Sequence, residues 1–237
     1  EYQVVVERLA DRAAVGDLAP PANQAWHASA EPLADGWAGQ LLLARAAAYA
    51  AHRDQLSPLF EFESAEPLID RPPYSRALKE LSAAAKAGGF AESRMTPPAC
   101  LAELLAGRCA MAIGWPAPEP GAAEIKSASN VRFALLPGAK LTYNFTTKRW
   151  ENSEAAEPLH LACLTAAGRM AAVTSNTASQ KRGEGFLAWL AGKSTSSQIG
   201  PHSRGTTLFR QSQTSDPERW TGGLSAAQSK QYADTLA

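Results

Sequence analysis

The chain has 237 residues, 45% hydrophobic and 19% charged, with Lys+Arg and Asp+Glu equal at 23 and a formal net charge of zero. This length suits one large or two small domains, and the composition excludes a disordered chain. No apolar run reaches the roughly 20 residues of a bilayer-spanning helix, and no basic face marks nucleic acid or anionic lipid as a partner, so a neutral ligand is the default expectation.

Glu1 to Ala13 reads as an amphipathic helix, with Val5, Val6 and Leu9 on one face and Glu7, Asp11 and Arg12 largely opposite. It has no N-cap residue before it, so a preceding segment is expected. Ala19 to Asn23, with two prolines, is a linker or turn, and Trp26 to Asp35 reads as irregular. Gly36 to Tyr49 is a helix with apolar residues nearly all round, which implies burial on most sides. Leu59 to Asp70 alternates apolar and acidic residues, as a small hairpin or extended excursion does. Pro72 and Pro73 open a helix over Tyr74 to Ala87, stopped by Gly88 and Gly89.

Leu104 to Pro116, LLAGRCAMAIGWP, organises the rest. Thr96 is a suitable N-cap, with Pro97 at the first helical position, for a short helix to Ala106, and Gly107 suits its C′ position. Cys109 to Ile113 is an apolar run of buried-strand length; Gly114 lets the chain turn, and Pro116 places Trp115 on a loop past the strand's carboxyl end. In open α/β sheets ligands bind at that edge.

Val131 to Leu135 is a further strand candidate, and the polar stretch Ala139 to Pro158 a long surface loop or hairpin. Leu159 to Leu164 and Met170 to Thr174 are strand candidates. Helices are expected over Ser179 to Ala191, with Phe186, Leu187, Trp189 and Leu190 as the packing face, over Ser194 to Ile199, and from Leu224 onward. Strands alternating with helices argue a strand-poor α/β class.

Four segments in this order, PPYSRALKELSAAAKAG, TPPACLAELLAGRCAMAIGWP, VRFALLPG and AAGRMAAVTSNTASQKRGEGFLAWLAG, resemble the extracellular solute-binding proteins of ABC importers, in the carbohydrate-binding group. The resemblance is carried by Leu105, Gly107, Arg108, Ala110, Met111 and Trp115, by the pair Leu136 and Pro137, and by Gly168, Val173, Asn176, Phe186, Trp189 and Leu190. It implies a periplasmic-binding-protein-like two-lobe fold (type II), with ligand held between lobes joined by hinge strands. By the same analogy residues 1–160 form the second lobe, 161–208 return to the first, and 209–237 return to the second. The first lobe's opening strands are missing, so the sequence looks like a fragment. The helix Ser179 to Ala191 is then expected to leave an apolar patch exposed. The resemblance further implies a periplasmic or envelope-tethered monomer that passes a sugar or oligosaccharide to ABC permease subunits.

Trp115 is the first candidate for stacking on a sugar face, because an indole buries a large flat area at low entropic cost; the alternative is a core tryptophan. Trp37 is a second stacking candidate, set against helix-end packing. Asp35 either accepts a sugar hydroxyl or caps the helix that follows. Ser203, Arg204 and Thr206 offer hydroxyls and a guanidinium fork against ordinary turn chemistry, and Tyr143, Asn144 and Trp150 are candidates for a lid. Trp220 is a last aromatic candidate, from the tail. The triplet Asn144-Phe145-Thr146 matches a glycosylation acceptor, a match expected by chance.

Catalysis finds little support: the four histidines form no H-E-x-x-H pattern, and neither a G-x-S-x-G elbow nor a phosphate-binding loop is present. Cys100, Cys109 and Cys163 are too few and too irregular for a zinc site, so neither metal nor cofactor is expected. Cys100 and Cys109 are either bridged in an oxidising compartment or, more simply, buried thiols. The function expected is capture of a neutral carbohydrate and its delivery to a permease; the alternatives are a binding-lobe sensor or protein-interaction module without transport, and a hydrolase.

Overall fold

The computed structural model describes residues 5–9, 11, 26–88, 94–115, 131–136, 138–153, 171–202, 208, 210–222 and 224–236. The fold is mixed α/β. It divides into two compact units, Glu1–Gly114 with Leu135–Thr165, and Trp115–Ala134 with Ala166–Ala237.

In the first unit the alanine-rich helix α1 (Trp37–Ala50) buries Leu41, Ala44, Ala46, Ala47, Ala48 and Ala50, as residues with little side-chain entropy to lose permit. It packs along α2 (Pro72–Gly88), and Leu68, Tyr74 and Ala77 close the core around Ala46. A short helix α3 (Pro97–Leu105) leads into the strand β2 (Cys109–Ala112). The exit from α3 is a Schellman motif: Gly107 has φ 73°, its N–H bonds the Leu104 carbonyl, and the Arg108 N–H bonds that of Glu103, both at 3.0 Å. Arg108 then reaches back to the Glu103 carboxylate at 2.5 and 2.6 Å. Thr96 occupies the N-cap position of α3, but its hydroxyl makes no capping bond.

The segment Trp26 to Asp35, expected to be irregular, contains the strand β1 (His27–Ala30), paired parallel to β2 with Ser29 opposite Met111 and Ala30 opposite Ala112. HASA lacks the β-branched and aromatic residues that mark strands; pairing and burial make this one. A hairpin follows, β3 (Leu141–Asn144) with β4 (Arg149–Asn152), and it packs on α1. Asn144 shapes its turn, its side-chain oxygen accepting the N–H groups of Thr146 and Thr147 at 3.0 and 2.9 Å. The glycosylation-like triplet is therefore a turn motif with its asparagine buried.

Two strand expectations fail. Val131 to Leu135 forms no ladder and has no single buried face: Val131 is buried and Phe133 packs beside Leu208 and Trp220 in the second unit, but Ala134 and Leu135 are exposed. Residues 171–174 also lie outside any strand, and Val173 packs where a Cβ on Gly183 would stand. The linker Ala19 to Asn23 and the strand expected over Leu159 to Leu164 lie outside the described residues.

The second unit is helical among the described residues, with α4 (Gln180–Leu190), α5 (Lys193–Ile199), α6 (Ala226–Leu236) and short 3₁₀ turns, one of which is Pro217–Trp220. Arg210 donates to the Ala191 carbonyl at 2.7 Å, satisfying the carboxyl end of α4. Phe186, Trp189 and Leu190, expected as the packing face of α4, are instead 57%, 59% and 38% exposed and no residue of the helix is buried, which leaves the open apolar patch that the resemblance implied.

Candidate functional site

The site expected from the sequence resolves into three neighbourhoods. The first lies at the carboxyl end of β1. Glu31, only 2% exposed, accepts from Arg45 Nη2 of α1 at 3.0 and 2.9 Å, a pairing that a carboxylate taken out of water requires. Asp35 lies farther out and pairs with Arg94 at 2.9 Å, both side chains exposed. Asp35 does not cap α1: Gly36 holds the N-cap position with φ 81°, and the Ala34 carbonyl accepts the Trp37 and Ala38 N–H groups. Trp37, half-buried, is the first residue of α1. Gln40, one turn on, was not flagged by sequence; its Oε1 is buried with no hydrogen-bond partner among the described residues.

The second neighbourhood joins α1, α2 and the hairpin. Tyr143 and Trp150 face each other across the β3–β4 ladder with ring centroids 5.3 Å apart. Tyr49 of α1 meets Trp150 edge-on at 5.8 Å. The Arg76 guanidinium lies 4.5 Å from the Tyr49 ring centroid and 5.0 Å from that of Trp150, a cation over aromatic faces. Glu80 orients both partners, accepting from Arg76 Nε at 2.9 Å and from the Tyr49 hydroxyl at 2.7 Å. Burial, and then the Glu80 hydrogen bond, push the Tyr49 phenol up to about 12. Sequence missed Tyr49, Arg76 and Glu80, which lie on two helices; the spacing of four between Arg76 and Glu80 was the available signal.

Beside this cluster His52, buried just past α1, accepts the Asp54 N–H on Nδ1 at 3.2 Å, so Nε2 carries the proton that is donated to Glu151 at 3.2 Å. Thr147 donates to the other Glu151 oxygen at 3.0 Å. The His52 hydrogen bond, followed by that of Thr147, holds the Glu151 carboxyl below its ordinary value. This is a pin for the hairpin: the Thr147 hydroxyl is spent as a donor to a carboxylate, not activated by the histidine.

The third neighbourhood is the core of the second unit. Trp115, half-buried, and Trp220, fully buried, pack in one cluster with Leu208, Phe133, Leu224 and Tyr232. A Cβ on Gly200 would strike the Trp220 ring, so protein covers that indole. Ser203, Arg204 and Thr206 lie outside the described residues. The structure therefore brings together Tyr143 with Trp150, and Trp115 with Trp220, and sets Asp35 and Trp37 at one helix start.

Cys100 and Cys109 are free thiols in one buried cluster with Ala30, and burial pushes both up to about 12. No group of three His, Cys, Asp or Glu among the described residues is placed to hold a metal ion. No described helix is long and apolar enough to cross a membrane. Comparison with family models, curated proteins and solved structures finds no match to this chain.

Proposed function

We propose that this chain is a solute-binding component of an ABC importer, with the type II two-lobe architecture, which captures a neutral carbohydrate in the periplasm or cell envelope and delivers it to membrane permease subunits. The observation that carries this reading is the succession in which α3 ends at left-handed Gly107, β2 runs parallel to β1, and Trp115 follows just past the end of β2. Parallel strands present their carboxyl ends at one edge, where α/β sheets take ligands, and an indole suits the apolar face of a sugar ring. Trp37 supports the same reading, since it follows β1 as Trp115 follows β2. Binding would select the closed arrangement by differential affinity, which the permease would read. No catalytic role is proposed for any residue.

A second reading, a protein-interaction module without transport, is favoured by the open face of Phe186 and Trp189. Titration of intrinsic tryptophan fluorescence with a panel of mono- and oligosaccharides separates the two. Transport predicts a saturable change for one sugar class, with micromolar binding corresponding to about −8 kcal/mol, lost in Trp115→Ala and in Trp37→Ala while both keep native circular dichroism. If the folded protein gives no response to any sugar, the carbohydrate reading fails and the second takes its place.

A further inference from the structure

The excursion Leu59–Asp70 in the first unit is a formed hairpin-like element. Phe60 and Pro67 make an antiparallel bridge, the Leu68 N–H bonds the Leu59 carbonyl at 2.9 Å, and the Glu61 N–H bonds that of Glu66 at 2.9 Å. Ala65, at φ 58°, closes the tip with its N–H on the Glu61 carbonyl at 2.9 Å. At the base Leu68 is buried beside Tyr74 and Ala77, and the Tyr74 hydroxyl donates to the Pro58 carbonyl at 2.7 Å. Against this fixed frame Phe60, Phe62 and Ile69 point to solvent, Phe62 at 70% exposure, with Leu56 exposed nearby.

The same twelve residues hold Glu61, Glu63, Glu66 and Asp70 and no Lys, Arg or His. Arg71 pairs with Asp70 and Glu66 at 3.4 and 3.9 Å; Glu61 and Glu63 make no ion pair among the described residues. Ordered aromatic groups kept in water beside the Glu61 and Glu63 carboxylates form a surface whose ordering cost is met before binding, which is what a docking element needs.

We propose that this hairpin docks a protein partner whose surface carries arginine or lysine side chains around an apolar depression. Charge selects that occupant. Anionic lipid and nucleic acid would be repelled, and a symmetric contact between two copies would set these carboxylates against each other. The proposal does not rest on carbohydrate binding, and the sugar titration leaves it untouched.

The test uses the whole chain and a fluorescently labelled amphipathic peptide of leucine and arginine, with a scrambled peptide of the same composition, read by anisotropy at low and physiological salt. The expected result is saturable binding that weakens with salt and is about tenfold weaker for the scrambled peptide, for Phe62→Ser and for Glu61→Gln/Glu63→Gln. Amide shift changes should centre on residues 56–71, and both variants should keep the wild-type urea midpoint. Equal binding by wild type and variants, or none that saturates, overturns the proposal. So does self-association or partition onto zwitterionic vesicles that Phe62→Ser abolishes, since a second copy or a lipid surface would then be the occupant.

Discussion

Gly114 lies against the Pro97 carbonyl so closely that a Cβ at position 114 would collide with that oxygen. The chain leaving β2 thus passes over the start of α3 with no room for a side chain. Gly114→Ala should cost about 1–3 kcal/mol, because the obstacle is backbone and not a flexible side-chain end. Urea unfolding measures it; an unchanged midpoint would show that this contact is not as close as described.

Gly200 in the second unit meets a side chain instead, the ring of Trp220, which is held in place by burial. Gly200→Ala should push the indole out of its cluster, red-shift tryptophan emission and destabilise by about 1–3 kcal/mol, and Trp220→Ala should cost about 3–5 kcal/mol. The contrast with exposed Trp189 is the control, since Trp189→Ala should stay within about 0.5 kcal/mol.

Two ion pairs near the start of α1 should respond unequally. Glu31 is buried with Arg45, so Glu31→Leu should cost about 3 kcal/mol by depriving a guanidinium of its carboxylate. Asp35 and Arg94 are both exposed, and Asp35→Ala should change stability by less than about 1 kcal/mol. Thermal melts of the two variants, side by side, read the difference.

At acid pH the first unit should loosen at the hairpin. Glu151, through His52 above all, and Glu103, through the Arg108 hydrogen bond above all, have carboxyls held below their ordinary value of 4.5. Lowered folded-state values favour the ionised forms in the native protein. Their contribution is present above 4.5 and is lost as pH falls through the depressed values. Glu151→Gln should flatten the acid limb of a stability–pH curve by lowering the neutral plateau, with wild type and variant converging at acid pH.

At alkaline pH the sign reverses in origin but not in outcome. Burial raises Cys100 and Cys109 from 9.0, and Tyr49 from 10.0, to about 12 in the native protein. Stability should hold below about pH 9, then decline as the unfolded chain ionises these groups, and be lost by about pH 12. Labelling of Cys100 and Cys109 at neutral pH, read by peptide mass, should be slow in the folded chain and fast in denaturant.

The helices were legible because each carries local punctuation. Prolines open α2 and α3, Gly107 ends α3 in the expected left-handed conformation, and amphipathic or alanine-rich spacing fills the interiors. The strand β2 was legible as an apolar run after that glycine. β1 was not, since four small residues become a strand only when β2 lies alongside. Val131 to Leu135 misled for the opposite reason: an apolar run of strand length neither paired its backbone nor buried all its side chains, since Val131 is buried while Leu135 is 53% exposed.

Of the candidate residues, the aromatics were found as residue types, but their neighbours were not. Nothing local connects Tyr49, Arg76, Glu80 and Trp150, which meet because α1 packs on α2 and the hairpin on α1. What the sequence by itself determined is the set of elements governed by contacts within a few residues: helix limits, the glycine turn, the hairpin's asparagine. Only the tertiary structure decided which tryptophans are buried, which carboxylates are paired, and which short segment becomes a strand. Those outcomes depend on surface removed from water by residues distant in the chain, and no local pattern encodes which distant residue arrives.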